Sequence, residues 1–137
     1  MKNIEQLTLG NLIGKIEAIE PRDEYNDPKS VQYDFGTAIP TDLDSWRGIY
    51  AELALGYKLT GYDDHANSMF QVTVESFLKE LKSGIGQTYH GWKGGEFKMD
   101  VDTRLWVANR GNSGNTGIYD VLDIGYAVIL QTAYFEI

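Results

Sequence analysis

The chain of 137 residues contains no cysteine, two histidines and three prolines. Without cysteine there can be no disulfides, no thiolate catalysis and no cysteine-ligated zinc. The two histidines, His65 and His90, stand at no metal-binding spacing, and the Gly-x-Ser-x-Gly nucleophile motif is missing. We therefore expect a protein that is not an enzyme and that has no catalytic residues, no metal site and no cofactor.

Long apolar runs and positive charge are also scarce. No stretch approaches the roughly 20 apolar residues of a membrane-spanning helix, and the polar, acidic beginning of the sequence does not resemble a secretion signal. Twelve lysines and arginines against twenty acidic residues give a net charge of −8, which argues against binding to duplex DNA or RNA. We expect a cytoplasmic protein with no membrane or nucleic-acid partner. A small anionic ligand stays possible, because a few arginines can dominate one pocket.

The length predicts one domain over residues 1–137, and three stretches have the spacing of amphipathic helices. With their N-caps, these are Thr8 to about Glu20, Asp44 to about Gly56, and Thr73 to Ser83. In the first helix, Gly10 and Gly14 either permit a close neighbour or leave the helix marginal. Gly84 is expected to end the third helix in the left-handed conformation.

Alternating or continuous apolar residues predict strands, most of them after the third helix. The strands are Val31–Phe35, Glu96–Met99, Leu105–Ala108, Ile118–Leu122 and Tyr126–Phe135. Asp100–Thr103 is predicted to be a turn, and Leu59–Gln71 to be irregular. The predicted fold is an α+β domain with about three helices followed by an antiparallel β-meander.

Arg47 is the first candidate ligand residue, because it falls in the first turn of the predicted second helix. Free backbone N–H groups and the helix dipole favour an anion at that position, and a guanidinium adds bidentate phosphate contacts. The same arginine can instead form a local ion pair with Asp44 or Asp42.

Two glycine-rich segments add further candidates. Tyr89–Gly95 combines Trp92 and Lys93 with flexible backbone, which suits stacking on a base, although it can also be a plain turn with Trp92 in the core. Asn109–Gly117 is dense in amides and hydroxyls, and can fold over a ligand or form a hairpin tip. Neither segment matches a nucleotide-binding fingerprint.

The runs Asp42–Tyr57, Gly91–Phe97 and Leu105–Asn109 resemble the first type of phage Thoeris anti-defence protein. Members of that family are sponges that bind cyclic ADP-ribose isomers made by bacterial TIR enzymes and keep them intact. Some members also bind cyclic oligonucleotides of the CBASS pathway, and members assemble into oligomers. The resemblance covers about half of the chain.

The resemblance implies a homo-oligomeric phage protein that sequesters a small cyclic nucleotide in the cytoplasm of the infected bacterium. On the matching segments it implies Arg47 for phosphate, and Trp92, Phe97 or Met99 against adenine. It also implies Asn109 and Arg110 for polar contacts. Two alternatives remain open: an acidic phage accessory protein that binds and inhibits a host protein, and a small nucleotide hydrolase.

Overall fold

The computed structural model describes residues 4–35, 38–45, 52–59, 72–86, 88–90, 96–98, 100–108 and 115–136. These residues contain two helices, α1 (Leu9–Glu17) and α2 (Val74–Ser83). The eight strands are β1 (Ser30–Tyr33), β2 (Ala38–Ser45), β3 (Glu52–Leu59), β4 (Thr88–His90), β5 (Glu96–Lys98), β6 (Arg104–Val107), β7 (Thr116–Asp123) and β8 (Ala127–Tyr134). Six strands form one sheet in the order β1-β8-β7-β6-β3-β2, and β4 pairs with β5. The predicted α+β class is confirmed.

Both helices begin where their caps predict. The Thr8 hydroxyl accepts a hydrogen bond from the Asn11 N–H at 3.2 Å, and the Thr73 hydroxyl accepts one from the Ser76 N–H at 3.1 Å. In each helix the side chain at the third position bonds back to the cap N–H, which satisfies a second orphan donor. Helix α2 has the predicted bounds, whereas α1 ends at Glu17 rather than near Glu20.

The predicted second helix is wrong, because its residues form the end of β2 and most of β3. Two of the residues that suggested helical spacing, Trp46 and Tyr50, fall in the segment between these strands, outside the described residues. Asp44, the expected cap, is paired with Ala54 in the sheet. A β-bulge in β2 falls between Pro40 and Leu43.

Gly56, the expected helix end, lies opposite this bulge. A Cβ at Gly56 would collide with the Thr41 hydroxyl, so the position accepts only glycine without rearrangement.

The predicted antiparallel meander is right only for the run from β6 to β8. Strand β1 is parallel to β8, and β3 is parallel to β6, so the large sheet is mixed. Strands β6 and β7 pair at Trp106 and Gly117, and the N-terminal segment fills the space beyond this pair. There the Leu7 N–H donates to the Ile118 carbonyl at 2.8 Å, and the Leu7 carbonyl accepts from the Leu105 N–H at 3.1 Å.

The large sheet must curl, because its two edge strands are consecutive in the chain. Five strand spacings would separate β1 from β2 by about 24 Å in a flat sheet. The connection from Tyr33 to Ala38 spans at most about 18 Å. The Tyr33 side chain bridges the curled face, since its hydroxyl donates to the Gly56 carbonyl of β3 at 3.0 Å. Burial raises the pKa of Tyr33 well above its ordinary value, so this hydroxyl stays protonated and remains a donor.

Both helices pack on the same face of the sheet and form the main core with it. Helix α1 contributes Leu9, Leu12, Ile13 and Ile16, and α2 contributes Val74, Phe77 and Leu81. They meet the inward side chains of the strands, which include Val31, Leu55, Leu105, Val107, Ile118, Val128 and Leu130. On the opposite face Trp106, fully buried, packs with Ala54, Ala108 and Phe135.

Helix α2 and the residues before it cover both edges of the curled sheet. At the β1 edge, the Val31 N–H donates to the Val72 carbonyl at 2.7 Å. At the β2 edge, the Glu80 carboxylate accepts from the Leu43 N–H at 3.3 Å. These contacts satisfy backbone groups that would otherwise be open to pairing with another chain.

Two glycines permit close packing around the helices. A Cβ at Gly10 would lie 2.9 Å from both the Cβ and the carbonyl oxygen of Val101, within the 100–103 turn that the sequence predicts. A Cβ at Gly84 would lie 2.7 Å from Leu43 Cδ1. The predicted left-handed conformation of Gly84 is wrong, since its φ is −77°. The positive φ, 74°, falls on Gly86.

Within the described part of the chain, neither helix has the length and apolar character needed to cross a bilayer.

We predict opposite stability effects for alanine at the two glycines of α1. Gly14 is exposed and a Cβ there would meet nothing within 4 Å, so Gly14→Ala should stabilise the protein by about 0.5–1 kcal/mol through helix propensity. Gly10→Ala should destabilise it by about 1–2 kcal/mol, because the new methyl group forces Val101 to move. Urea denaturation of both variants measures the effects. Equal stabilisation by both substitutions would contradict the close contact at Gly10.

Candidate functional site

The six residues implied as ligand contacts lie almost entirely outside the described residues. Phe97 is the middle residue of β5, where its backbone is paired with Tyr89. The other five are outside the described ranges: Arg47, Trp92, Met99, Asn109 and Arg110.

The connections that contain Arg47 and the pair Asn109 and Arg110 start from two different ends of the large sheet. Strand β2 ends and β3 begins at the end where β6 also begins, as the pairs Ser45–Leu53 and Glu52–Arg104 show. The connection that contains Arg47 therefore starts from that end. The connection that contains Asn109 and Arg110 leaves from the opposite end, between the end of β6 and the beginning of β7.

The polar 109–117 segment is anchored on both sides. Before it, the Ala108 N–H donates to the Leu55 carbonyl at 3.0 Å. After it, Asn115 is 6% exposed, and its amide nitrogen donates to the Phe135 carbonyl at 3.0 Å. The Phe135 N–H returns a bond of 3.0 Å to the Asn115 carbonyl. Asn115 therefore links the beginning of β7 to the residue after β8, although the sequence grouped it with possible ligand donors.

Trp106, which lies in the Leu105–Asn109 run of the resemblance, is a core residue. Its indole has no exposed surface, and the Arg104 guanidinium carbon lies 5.4 Å from its ring centroid. This distance is within the range of a cation–π contact.

A cleft of about 480 Å³ lies elsewhere, between the 22–28 loop and the β7–β8 turn. We call it the tyrosine cleft, and it is lined by Asp23, Glu24, Tyr25, Ile124, Gly125 and Tyr126. Tyr25 and Tyr126 are 77% and 67% exposed, which is unusual for such large apolar rings. No sequence pattern predicts this cleft. Two turns were recognisable from Asn26-Asp27-Pro28 and from Gly125, but nothing local indicated that they are neighbours.

Hydrogen bonds fix the first wall of the tyrosine cleft. The Asp23 carboxylate accepts from the N–H groups of Tyr25 and Asp27, both at 2.9 Å. The loop is closed by the Asp23 N–H, which donates to the Asp27 carbonyl at 2.9 Å, and Asn26 takes a φ of 66°. Such Asx turns hold a loop in one conformation.

The second wall is a tight turn between β7 and β8. The Asp123 carboxylate accepts from the Gly125 N–H at 2.9 Å, and the Ile124 N–H donates to the Ala127 carbonyl at 3.0 Å. Gly125 has a φ of 98°, which only glycine adopts readily.

An ion pair between a buried lysine and a solvent-exposed aspartate ties the two walls together. Lys29 follows the first loop and is 5% exposed, and its ammonium nitrogen lies 3.0 Å from Asp123 Oδ2. The hydrogen bond from the Gly125 N–H, followed by the one from Lys29, lowers the pKa of Asp123 below its ordinary value. Asp123 is therefore ionised at neutral pH and neutralises Lys29.

A second cleft has a volume of about 430 Å³. It is lined by Ile4, Glu5, Leu7, Lys15, Tyr119, Asp120 and Gln131. Its one lysine is paired with Asp120 at 3.2 Å. The described residues contain no group of three or more His, Cys, Asp and Glu side chains that could hold a metal ion.

The chain matches no protein-family model, no curated protein and no solved structure.

We predict that Asp123→Asn destabilises the protein in a pH-dependent manner. The substitution leaves the buried Lys29 ammonium without its counter-charge. Since the Asp123 side chain is 37% exposed, water reduces the cost to about 1 kcal/mol at pH 7. The folded pKa lies below the unfolded one, so the contribution is complete above the ordinary aspartate pKa of about 4 and disappears as the pH falls through the folded pKa.

Urea denaturation at pH 7 and at pH 3 tests this prediction. The difference between the two proteins should shrink at the lower pH. Glu17→Gln is the matched control, because Glu17 pairs with Lys82 at 3.1 Å and both side chains are 49% exposed. It should change stability by less than about 0.5 kcal/mol. A control effect as large as that of Asp123→Asn would refute a special role for the Lys29–Asp123 pair.

Proposed function

We propose that this protein is a phage anti-defence protein that binds a small cyclic nucleotide immune signal and sequesters it without cleavage. The single observation that carries the proposal is the resemblance of three segments, Asp42–Tyr57, Gly91–Phe97 and Leu105–Asn109, to the first type of Thoeris anti-defence protein. The ligand is a cyclic ADP-ribose isomer, and a cyclic oligonucleotide is a further candidate. The protein acts in the cytoplasm of the infected bacterium.

The described strands support loop-borne contacts. The 91–95 segment joins the paired residues His90 and Glu96, and the 109–114 segment joins the anchored residues Ala108 and Asn115. Short connections between fixed strand ends are where ligand-binding residues concentrate, because the scaffold holds them in place. In this proposal Arg47 binds phosphate, Trp92, Phe97 or Met99 contacts adenine, and Asn109 and Arg110 supply polar contacts.

We further propose that the protein is a homo-oligomer. The connection that contains Arg47 starts from one end of the sheet, whereas the connection that contains Asn109 and Arg110 starts from the other. Two copies of the chain can bring opposite ends together over one ligand. Enclosure between subunits also helps to reach nanomolar affinity, which corresponds to about −12 kcal/mol and is needed to remove a signal by binding alone.

We predict that cyclic ADP-ribose isomers bind with nanomolar affinity in calorimetry. A hundredfold excess of ligand over Kd should stabilise the folded protein by about 2.7 kcal/mol, seen as a thermal shift. Arg47→Gln should weaken binding at least about tenfold, through loss of a charge-assisted phosphate contact. Lys82→Gln, the same change of charge on the surface of α2, should bind as the wild type does. The absence of both heat and thermal shift for every isomer would refute the proposal.

Recovery of the ligand separates a sponge from a hydrolase. The protein is incubated with the cyclic nucleotide and then denatured by heat, and the supernatant is analysed by chromatography. A sponge returns the ligand intact in stoichiometric amount. Conversion of the ligand into a linear product would instead assign the protein to the hydrolases.

The second candidate is an acidic accessory protein that binds and inhibits a host protein. The exposed rings of Tyr25 and Tyr126 favour it, since tyrosine gives contact area at little entropic cost. A single stoichiometric partner recovered from host lysate, by protein that carries no nucleotide, would support this candidate over the first.

A further inference from the structure

The tyrosine cleft combines two exposed aromatic rings with an excess of negative charge. Among the residues that the structure describes, two cations lie close to it, and each is engaged by a carboxylate. Lys29 is paired with Asp123, and the Arg22 guanidinium lies 4.0 Å from Glu75 and donates to the Asn26 carbonyl at 2.8 Å. Asp23 and Glu24 also line the cleft, and within the described ranges neither carboxylate is in an ion pair.

An aromatic face attracts cations through its quadrupole, and nearby carboxylates strengthen that attraction. An anion would meet repulsion from both groups. The cleft is therefore suited to a ligand of charge opposite to that of the proposed nucleotide.

The walls of the cleft need little reorganisation to receive a ligand. The Asx turn fixes the backbone at Tyr25, and the Gly125 turn fixes the backbone next to Tyr126. The Lys29–Asp123 pair joins residues 94 positions apart in the chain and holds the two turns side by side. Rings displayed on a rigid frame bind with a small loss of conformational entropy.

We propose that the tyrosine cleft binds a lysine or arginine side chain of a basic polypeptide partner. The cation lies between Tyr25 and Tyr126, and Glu24 supplies the counter-charge. Ile124, 39% exposed, lines the cleft, and Leu122, 47% exposed, lies two residues before it in the chain; both can provide apolar contact for residues that flank the basic side chain.

This inference stands on the cleft alone and does not depend on nucleotide binding. It narrows the second candidate function by naming the chemistry of the partner. Failure of nucleotide binding would leave it untouched, and failure of the peptide experiment below would leave the nucleotide proposal untouched.

The test is a titration of the full chain with a short acetylated peptide of alternating arginine and leucine, followed by NMR. Binding should shift the amide signals of Tyr25 and Gly125. The same peptide with citrulline in place of arginine, which keeps the shape and removes the charge, should bind at least about tenfold more weakly.

Matched variants separate the cleft from general acidity. Tyr126→Ala should weaken binding about fivefold, whereas Tyr134→Ala should have no effect. Tyr134 is 57% exposed and lies at the other end of β8, about 26 Å away along the strand. Glu24→Gln should weaken binding about threefold, and Glu136→Gln, also beyond the far end of β8, should not. All four side chains are exposed, so the folded structure should be retained, which the thermal midpoint verifies.

Three results would overturn the proposal. One is equal weakening by Tyr126→Ala and Tyr134→Ala, or by the two glutamine variants, which would mean diffuse attraction to an acidic surface. Another is amide shifts that spare Tyr25 and Gly125. The last is binding of free arginine methyl ester as tight as binding of the peptide, which would assign the cleft to a small organic cation instead of a polypeptide.

Discussion

The short connection from Tyr33 to Ala38 constrains the rest of this structure. It joins strands that occupy opposite edges of a six-stranded sheet, so the sheet has to curl until these edges approach each other. Curling produces one enclosed face, and α1 and α2 fill it. The Tyr33 hydroxyl bonds across that face to β3, and α2 lies against both edges, where its Glu80 and the preceding Val72 satisfy strand backbone groups.

Parallel pairing within this sheet also creates the tyrosine cleft. Because β1 runs parallel to β8, the chain enters both strands at the same end. The loop before β1 and the turn before β8 therefore become neighbours, and the Lys29–Asp123 pair fixes their distance. An antiparallel arrangement of these two strands would place the turns at opposite ends of the molecule. The cleft is a product of topology, and its acidic and aromatic character comes from residues that are otherwise unremarkable in sequence.

The two proposed ligands make opposite demands on charge. A cyclic nucleotide needs cations, and a basic side chain needs carboxylates and aromatic faces. The described acidic cleft meets only the second demand, and the proposed nucleotide site uses other segments, those that contain Arg47 and Arg110. In an acidic protein of net charge −8, a few clustered guanidinium groups are enough for such a site only if they are shielded from the surrounding carboxylates.

The sequence by itself determined the structures that depend on neighbours in the chain. Thr8 and Thr73 cap helices because each bonds three residues ahead, and the 100–103 turn forms for a similarly local reason. The helix predicted to begin at Asp44 is wrong. The apolar spacing through Trp46 and Tyr50 is typical of a helix, but β3 pairs with β6, some fifty residues later in the chain, and this pairing favours an extended strand. Only the tertiary structure decided the parallel pairs, the close approaches at Gly10 and Gly56, and the tyrosine cleft. Each of these depends on contact between distant segments, and a single sequence carries no record of which distant segments meet.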